Sequence, residues 1–189
     1  MRKRRRLKKS VVVILVFLVI ISVGCIFHFG GRSTLKTLYP QRYSNFVEKY
    51  SQSNNLSEEF VYAVILCESG FDKNAVSNVG AKGLMQIMPD TFDWIQWRLG
   101  ESFPEEEIFE PETAIRYGCY FYGYLMEKFG NEPTAVAAYH AGAACVSRWL
   151  EDERYSDNGV TLKDIPYPTT KKYVAKVMDA KAMYEKIYK

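Results

Sequence analysis

Cysteine and histidine are scarce in this sequence, whose 189 residues include four cysteines and two histidines. Cys25, Cys67, Cys119 and Cys145 lie far apart, and no two of them have the spacing of a zinc-binding pair. We therefore predict no metal and no cofactor. The sequence leaves open whether the last three cysteines include one disulfide or are plain buried thiols.

Strand-like alternation of apolar and polar residues, internal repeats and low-complexity tracts are also absent from the chain. Helical periodicity and helix-breaking residues instead indicate a mainly α domain. The predicted helices cover approximately residues 43–50, 57–68, 90–99, 113–130 and 132–142, a segment that runs through Trp149, and residues 170–188. Residues 71–90 contain several Gly, Asn, Asp and Pro residues, which predicts a loop.

The N-terminal region contains no acidic residues, and the first alanine of the chain is Ala63. Residues 11–31 contain no Asp, Glu, Lys or Arg and are long enough to cross a bilayer as a helix. No A-x-A-like cleavage site follows them, so an uncleaved signal anchor is favoured over a signal peptide. The basic segment 1–10 is expected to stay in the cytoplasm, which places everything after the anchor on the cell-wall side of the membrane.

The remainder of the chain carries no excess of positive charge. Seven of the 25 Lys and Arg residues lie within the first ten positions, which leaves 18 against 22 acidic side chains, a net charge of −4. Nucleic-acid binding requires a basic face, so we predict no nucleic-acid partner for the outward domain. We interpret the basic run as a topology signal that also contacts anionic lipid.

One carboxylate lies at the end of a strongly apolar helix, in the stretch FVYAVILCESGF (residues 60–71). Ser57 is typical of an N-cap and Gly70 of a helix end, so Glu68 falls in the last turn. The residues three, four and seven positions before it are apolar, which places Glu68 on the apolar face. Burial there raises the pKa of a carboxyl group, and a protonated Glu is a general-acid candidate, although a structural Glu in an ion pair remains an alternative.

Three further segments contain residues that suit a binding groove. In SNVGAKGLMQIMP (77–89) two glycines allow close approach of the backbone, and one amide, that of Gln86, lies among apolar side chains. AAYHAG (137–142) offers Tyr139 and His140 beside a glycine, and Tyr173 lies on the last predicted helix. Taken singly, the first segment favours a tight turn followed by a core helix, the second favours a core tyrosine with a surface histidine, and Tyr173 alone indicates no function.

Taken together and in this order, the segments resemble the catalytic domain of the soluble lytic transglycosylase family, the lysozyme-like enzymes that cleave peptidoglycan. The resemblance rests on ESGF, NAVSNVGAKGLMQIMP, AAYHAG and the YV at Tyr173, with YPQRY (39–43) at its start. It covers about residues 39–188. It implies a lysozyme-like helical domain over 39–189, joined by a connector (32–38) to the predicted transmembrane helix, with peptidoglycan glycan strands as the substrate and unknown cell-envelope assembly partners.

The resemblance also implies roles for the first two motifs. Glu68 would be the single catalytic acid and base, with Ser69 beside it in the signature. Ser77 and Gln86 would form hydrogen bonds with the N-acetyl region of the muramic acid, and Met85 would line the groove.

The later motifs supply the other expected substrate contacts. Tyr139 would support the sugar at the cleaved bond, and Tyr173 would point its hydroxyl at Glu68. Two positions depart from the commonest pattern, because His140 stands where Asn is usual and Thr169 stands where Glu is usual. We expect these changes to alter substrate contacts or pH response rather than to abolish activity.

A single carboxylate implies a substrate-assisted mechanism, because glycosidases with two carboxylates need a second acid near the bond. The family solution yields a 1,6-anhydro sugar. Alternatives are a lysozyme-type hydrolase on the same fold, a catalytically silent peptidoglycan-binding scaffold, and a peptidase using Cys67 and His140. The peptidase is disfavoured, because reactive thiolates occur at helix N-termini and in positively charged surroundings. Cys67 instead lies near the C-terminal end of its predicted helix, beside Glu68.

Overall fold

The structure of the chain is a computed structural model that describes residues 34–189. The predicted basic segment and membrane anchor lie outside the described residues. Residues 34–38 are helical and belong to a unit that ends at Pro40, whereas Gln41–Lys189 form a second compact unit. None of the helices within residues 34–189 combines the length and apolar character needed for a bilayer span.

The second unit is mainly α-helical, as the sequence predicts. Its only β-type pairing among the described residues consists of isolated bridges that join Val76 to Lys82 and Lys82 to Ile87. The helices are α1 (Ser44–Ser53), α2 (Glu58–Glu68), α3 (Pro89–Leu99), α4 (Pro111–Phe129), α5 (Glu132–Ala141), α6 (Ala143–Leu150) and α7 (Pro168–Tyr188), with a 3₁₀ helix at Glu105–Phe109.

Short-range sequence signals set most helix ends. The side chain of Ser57 accepts a hydrogen bond from the Phe60 N–H at 3.2 Å, which confirms the predicted N-cap of α2. Asn131 caps α5 in the same way, and Gly130 ends α4 in the left-handed conformation. Helices α3, α4 and α7 begin at prolines, one or two residues earlier than predicted, because proline suits the first helical position, where no N–H bond is needed.

Helix α2 forms the centre of the core. Its residues from Phe60 to Ile65 are at most 1% exposed, so the helix is buried on nearly all sides rather than on one face. It packs mainly against α7 and also against α1. Tyr62 stacks on Tyr184 of α7 with 5.5 Å between ring centroids, and Phe60 meets the edge of Tyr122 of α4 at 5.0 Å. These contacts hold α2 against α4 and α7.

The loop between α2 and α3 folds back over that helix end. Lys82 and Ile87 exchange two backbone hydrogen bonds, of 3.0 and 2.9 Å. These bonds close the turn formed by residues 83–86, the GLMQ loop. Gly83 has φ +74°, and a Cβ atom there would lie 2.3 Å from the backbone oxygen of Ile108. Only glycine therefore allows the turn to lie directly on the 3₁₀ helix.

Candidate active site

Glu68 is the last residue of α2, is partly exposed and lines a groove. The hydroxyl of Tyr173, from α7, donates a hydrogen bond to its Oε1 at 2.5 Å. Burial raises the pKa of Glu68 to about 7, against smaller opposite effects from this hydrogen bond and from the Lys176 ammonium group. Lys176 also donates to the backbone oxygen of Cys67 at 2.9 Å and so occupies the negative end of the α2 dipole.

Three tyrosines connect this carboxyl group to the loop above it. The hydroxyls of Tyr122 and Tyr173 lie 3.0 Å apart, and the ring of Tyr122 stacks on that of Tyr139 with 4.2 Å between centroids. Tyr139 donates to the backbone oxygen of Met85 at 2.7 Å. Burial raises the pKa of all three phenols well above 10, so they stay neutral hydrogen-bond donors.

The groove has a volume of about 440 Å³ and brings together most of the residues predicted from the sequence. It is lined by Glu68, Ser77, Val79, Ala81, Gln86, Met88, Tyr139, His140 and Thr169. Among these lining residues, Glu68 is the only one with a carboxyl group. Within residues 34–189, no cluster of His, Cys, Asp or Glu is arranged to hold a metal ion.

Ser77 and Gln86 line one wall of the groove, and the side chain of each forms hydrogen bonds with the backbone of the loop between α2 and α3. Ser77 Oγ accepts the N–H of Ala81 at 3.0 Å, which holds the loop in a tight turn. Gln86 has φ +49°, and its amide nitrogen donates to the backbone oxygens of Ala75 at 3.1 Å and Gly83 at 3.0 Å. Because both amide hydrogens are used inside the loop, the side-chain oxygen is the atom of Gln86 available to a donor in the groove.

Met85 does not line the groove, contrary to the expectation from the sequence. Its side chain is fully buried against Gly118 of α4, where a Cβ atom would lie only 2.2 Å from the Met85 sulfur. Met88, which is 40% exposed, lines the groove instead, together with the apolar side chains of Val79 and Ala81. The sequence signal was ambiguous, because both methionines flank Gln86 and a loop has no fixed periodicity.

Ser69, like Met85, is not among the residues that line the groove. Its hydroxyl donates to the backbone oxygen of Leu84 at 2.8 Å and lies 3.3 Å from that of Ile65. This residue therefore joins the end of α2 to the GLMQ loop. The contact fixes the loop relative to Glu68.

His140 lines the groove and is held from below by α7. Its Nδ1 lies 3.0 Å from the hydroxyl of Thr170, which is 1% exposed, and its ring lies 4.7 Å from the ring of Tyr173. Partial burial lowers the pKa of His140, so the imidazole is neutral near pH 7. The sequence singled out His140 and Thr169 but missed Thr170, because the contact joins α5 to α7 and depends on how these helices pack.

The cysteines of the described residues, Cys67, Cys119 and Cys145, are free thiols. Burial raises the pKa of Cys67 to about 11, so its thiol stays protonated. A protonated thiol is a poor nucleophile, and this geometry disfavours a cysteine peptidase.

The helical unit and its groove with a single carboxyl group agree with the lysozyme-like helical domain that the sequence resemblance implies. The chain belongs to the Transglycosylase SLT domain family, whose model matches residues 45–159. It is similar to the structure of lytic transglycosylase Slt from Pseudomonas aeruginosa, determined as an inactive mutant, with a TM-score of 0.72 and 29% identity over 81% of this chain and 25% of that one.

Sequence relatives include both soluble and membrane-bound enzymes. The soluble lytic murein transglycosylase of Salmonella typhimurium is 31% identical over 154 residues, which are 79% of this chain and 24% of that protein. Membrane-bound lytic murein transglycosylase C of Serratia proteamaculans is 27% identical over 168 residues, 77% of this chain and 47% of that protein. The chain spans about a quarter of the length of the soluble relatives.

Proposed function

We propose that this chain is a peptidoglycan lytic transglycosylase that cleaves the β-1,4 bond from N-acetylmuramic acid to N-acetylglucosamine and leaves 1,6-anhydro-muramic ends. The observation that carries the proposal is Glu68, the one carboxyl group lining the groove, with a pKa raised to about 7. A carboxylic acid that is protonated near neutral pH and can then accept a proton suits both halves of the reaction.

Glu68 acts first as the acid. It gives its proton to the glycosidic oxygen as the bond from this oxygen to the muramic C1 breaks. The carboxylate then removes the proton from the muramic 6-hydroxyl, whose oxygen forms the new bond to C1. Tyr173 holds the carboxyl group in place and supports its charged form between the two steps, because its phenol donates to Oε1.

The positive centre at C1 needs a partner other than a second carboxylate, and the substrate's own acetamido group provides it. Gln86 and Ser77 lie in the wall where they would hold that group, with the Gln86 side-chain oxygen accepting its N–H. Tyr139 supports the sugar at the cleaved bond. His140 offers its remaining ring nitrogen, because Nδ1 is engaged with Thr170.

Two other functions use the same groove. A lysozyme-type hydrolase would share Glu68 as the acid but would admit water to C1, and a silent scaffold would bind glycan without cutting it. Transglycosylation is favoured over hydrolysis because a positioned intramolecular hydroxyl has a large advantage in effective concentration over water. The raised pKa of Glu68 disfavours the scaffold, since nothing in mere binding requires a protonated carboxyl group in the groove.

Product analysis tests the proposal. We expect muropeptides released from intact peptidoglycan by the chain to be lighter than the hydrolysed forms by the mass of one water molecule. They should also resist borohydride reduction, because ring closure removes the free reducing end. Mass spectrometry before and after reduction measures both properties.

Predominantly reducible muramic ends would show that water reaches C1 and would reassign the chain as a hydrolase. The Glu68→Gln variant serves as the control for contaminating enzymes, since products of this site should disappear with it. Binding without any product from the unchanged chain would instead favour the scaffold.

We further propose that residues 11–31 anchor the catalytic domain on the cell-wall side of the membrane. The support is the uncharged apolar stretch that follows seven basic residues. Protease added to spheroplasts should digest the domain, with a cytoplasmic protein as the protected control. Full protection of the domain until the membrane is lysed would contradict this topology.

A further inference from the structure

A second cavity, of about 390 Å³, lies where α3 and α4 meet the end of α1. Its lining includes Arg98, Tyr120, Tyr124, Asn54 and Glu127. We propose that this α3/α4 cavity is a second saccharide-binding site that holds a distant part of the glycan strand whose cleaved bond lies at Glu68. The inference rests on the proposed function, because it takes the occupant to be that same strand.

A path of partly exposed aromatic rings joins the two cavities. Tyr139, which lines the groove beside Glu68, lies 5.4 Å from Phe121, and Phe121 stacks on Tyr124 of the α3/α4 cavity at 6.3 Å with 10° between the rings. Trp94 contacts both Phe121 and Tyr124, at 5.7 and 5.0 Å. Pyranose rings present apolar C–H faces that stack on aromatic side chains, so the exposed parts of these rings would support sugars that lie between the two cavities.

The cavity also has polar groups that suit an N-acetylated, carboxylated glycan. The Arg98 guanidinium lies 5.5 Å from the Trp94 ring and 5.8 Å from the Tyr124 ring, and it forms no ion pair with residues 34–189. Arg in such a setting binds carboxylates through paired N–H groups. A carboxylate is present on the lactyl group of muramic acid where no peptide is attached, and on the peptide where one is, whereas a plain hydrocarbon ligand offers no partner for this charge.

The shape of the α3/α4 cavity favours a saccharide over a protein partner. The cavity has a concave shape with a few polar groups among aromatic rings, which is the usual form of a small-ligand or sugar site. Glu127 also lines the cavity, and its carboxylate can accept a hydrogen bond from a sugar hydroxyl. Binding energy from a remote part of the strand can then be used to hold the scissile bond at Glu68.

Chain-length dependence tests the inference. The full chain carrying Glu68→Gln, which prevents cleavage during the measurement, is titrated by calorimetry with a soluble octasaccharide of peptidoglycan and with the disaccharide. Arg98→Ala and Tyr124→Ala are each expected to weaken octasaccharide binding about tenfold, as truncating a contact residue at a binding site does. Disaccharide binding, which uses the groove alone, should be weakened far less than that.

Trp97→Ala is the matched control, because Trp97 lies on α3 next to Arg98 and is 75% exposed but belongs to neither cavity lining. It should leave octasaccharide binding unchanged. Equal losses for both ligands would indicate general damage and overturn the inference, as would octasaccharide binding that neither substitution weakens. Failure of the proposed function is read separately, as absence of products from the unchanged chain.

Discussion

Replacing Glu68 by Gln is expected to lower the rate of glycan cleavage by about 10²–10⁴-fold or more, since general acid–base groups contribute on this scale and here one residue fills both roles. Gln has nearly the same shape and keeps an oxygen that can accept the Tyr173 hydrogen bond, so the fold should remain intact. Release of soluble muropeptides per unit time measures the effect. A folded variant that keeps more than a small fraction of the original activity would contradict the assignment.

The pH dependence of the unchanged chain provides a second measurement on the same residue. Glu68 has a raised pKa of about 7, so it is protonated below that pH and loses its proton as the pH rises through it. Cleavage should therefore fall on the alkaline side of about pH 7.

The raised pKa of Glu68 also affects folding. Between the ordinary carboxyl pKa and about pH 7, the folded state holds a proton that the unfolded state has released, so Glu68 makes the fold less stable as pH rises across this window. Glu68→Gln should remove that part of the pH dependence of stability, and urea unfolding at several pH values would show whether it does.

Gly83→Ala should reduce the free energy of unfolding by about 2–4 kcal/mol, because it combines left-handed backbone strain with a clash in a packed site. The new Cβ atom would meet the backbone oxygen of Ile108 at 2.3 Å, and a backbone atom cannot turn aside as a flexible side chain can. Relief of this clash requires the GLMQ loop to lift from the 3₁₀ helix. Urea unfolding measures the loss of stability. Substrate binding should also weaken, because Gln86 lies in the loop that moves.

Gly130→Ala is the control for this substitution. Gly130 has a similar φ, +61°, but a Cβ atom there would have no neighbour within 4 Å. It should therefore cost only the backbone strain, about 1 kcal/mol. Equal losses at Gly83 and Gly130 would show that the contact with Ile108 does not hold the loop.

Local signals in the sequence predicted the parts of the fold that depend on neighbours in the chain. Ser57 caps the helix that it is expected to cap, because an N-cap bond spans only three residues. Glu68 was placed in the last turn of an apolar helix for the same reason. The 3₁₀ helix at Glu105–Phe109 was missed, since an acidic stretch with a proline has no helical periodicity.

Contacts between distant segments could not be obtained in this way. Met85 and Met88 look alike in the sequence, and only the packing of Met85 against Gly118 decides which of them is buried. The partner of His140 is Thr170, thirty residues away. This contact depends on how α5 packs against α7, which local sequence signals do not determine. The resemblance to a family supplied Tyr173, which nothing in its own surroundings in the sequence distinguishes.

The position of Tyr173 and Lys176 on α7 links chemical competence to the order in which the polypeptide is made. Glu68 is synthesised about a hundred residues before the helix that supplies its hydrogen-bond donor and the ammonium group that lowers its pKa. Until α7 docks against α2, the carboxyl group is open to water on that side and has an ordinary affinity for protons. A nascent or partly unfolded chain therefore lacks the protonated carboxyl group that the proposed reaction needs, and this group arises only when the domain has completed its fold.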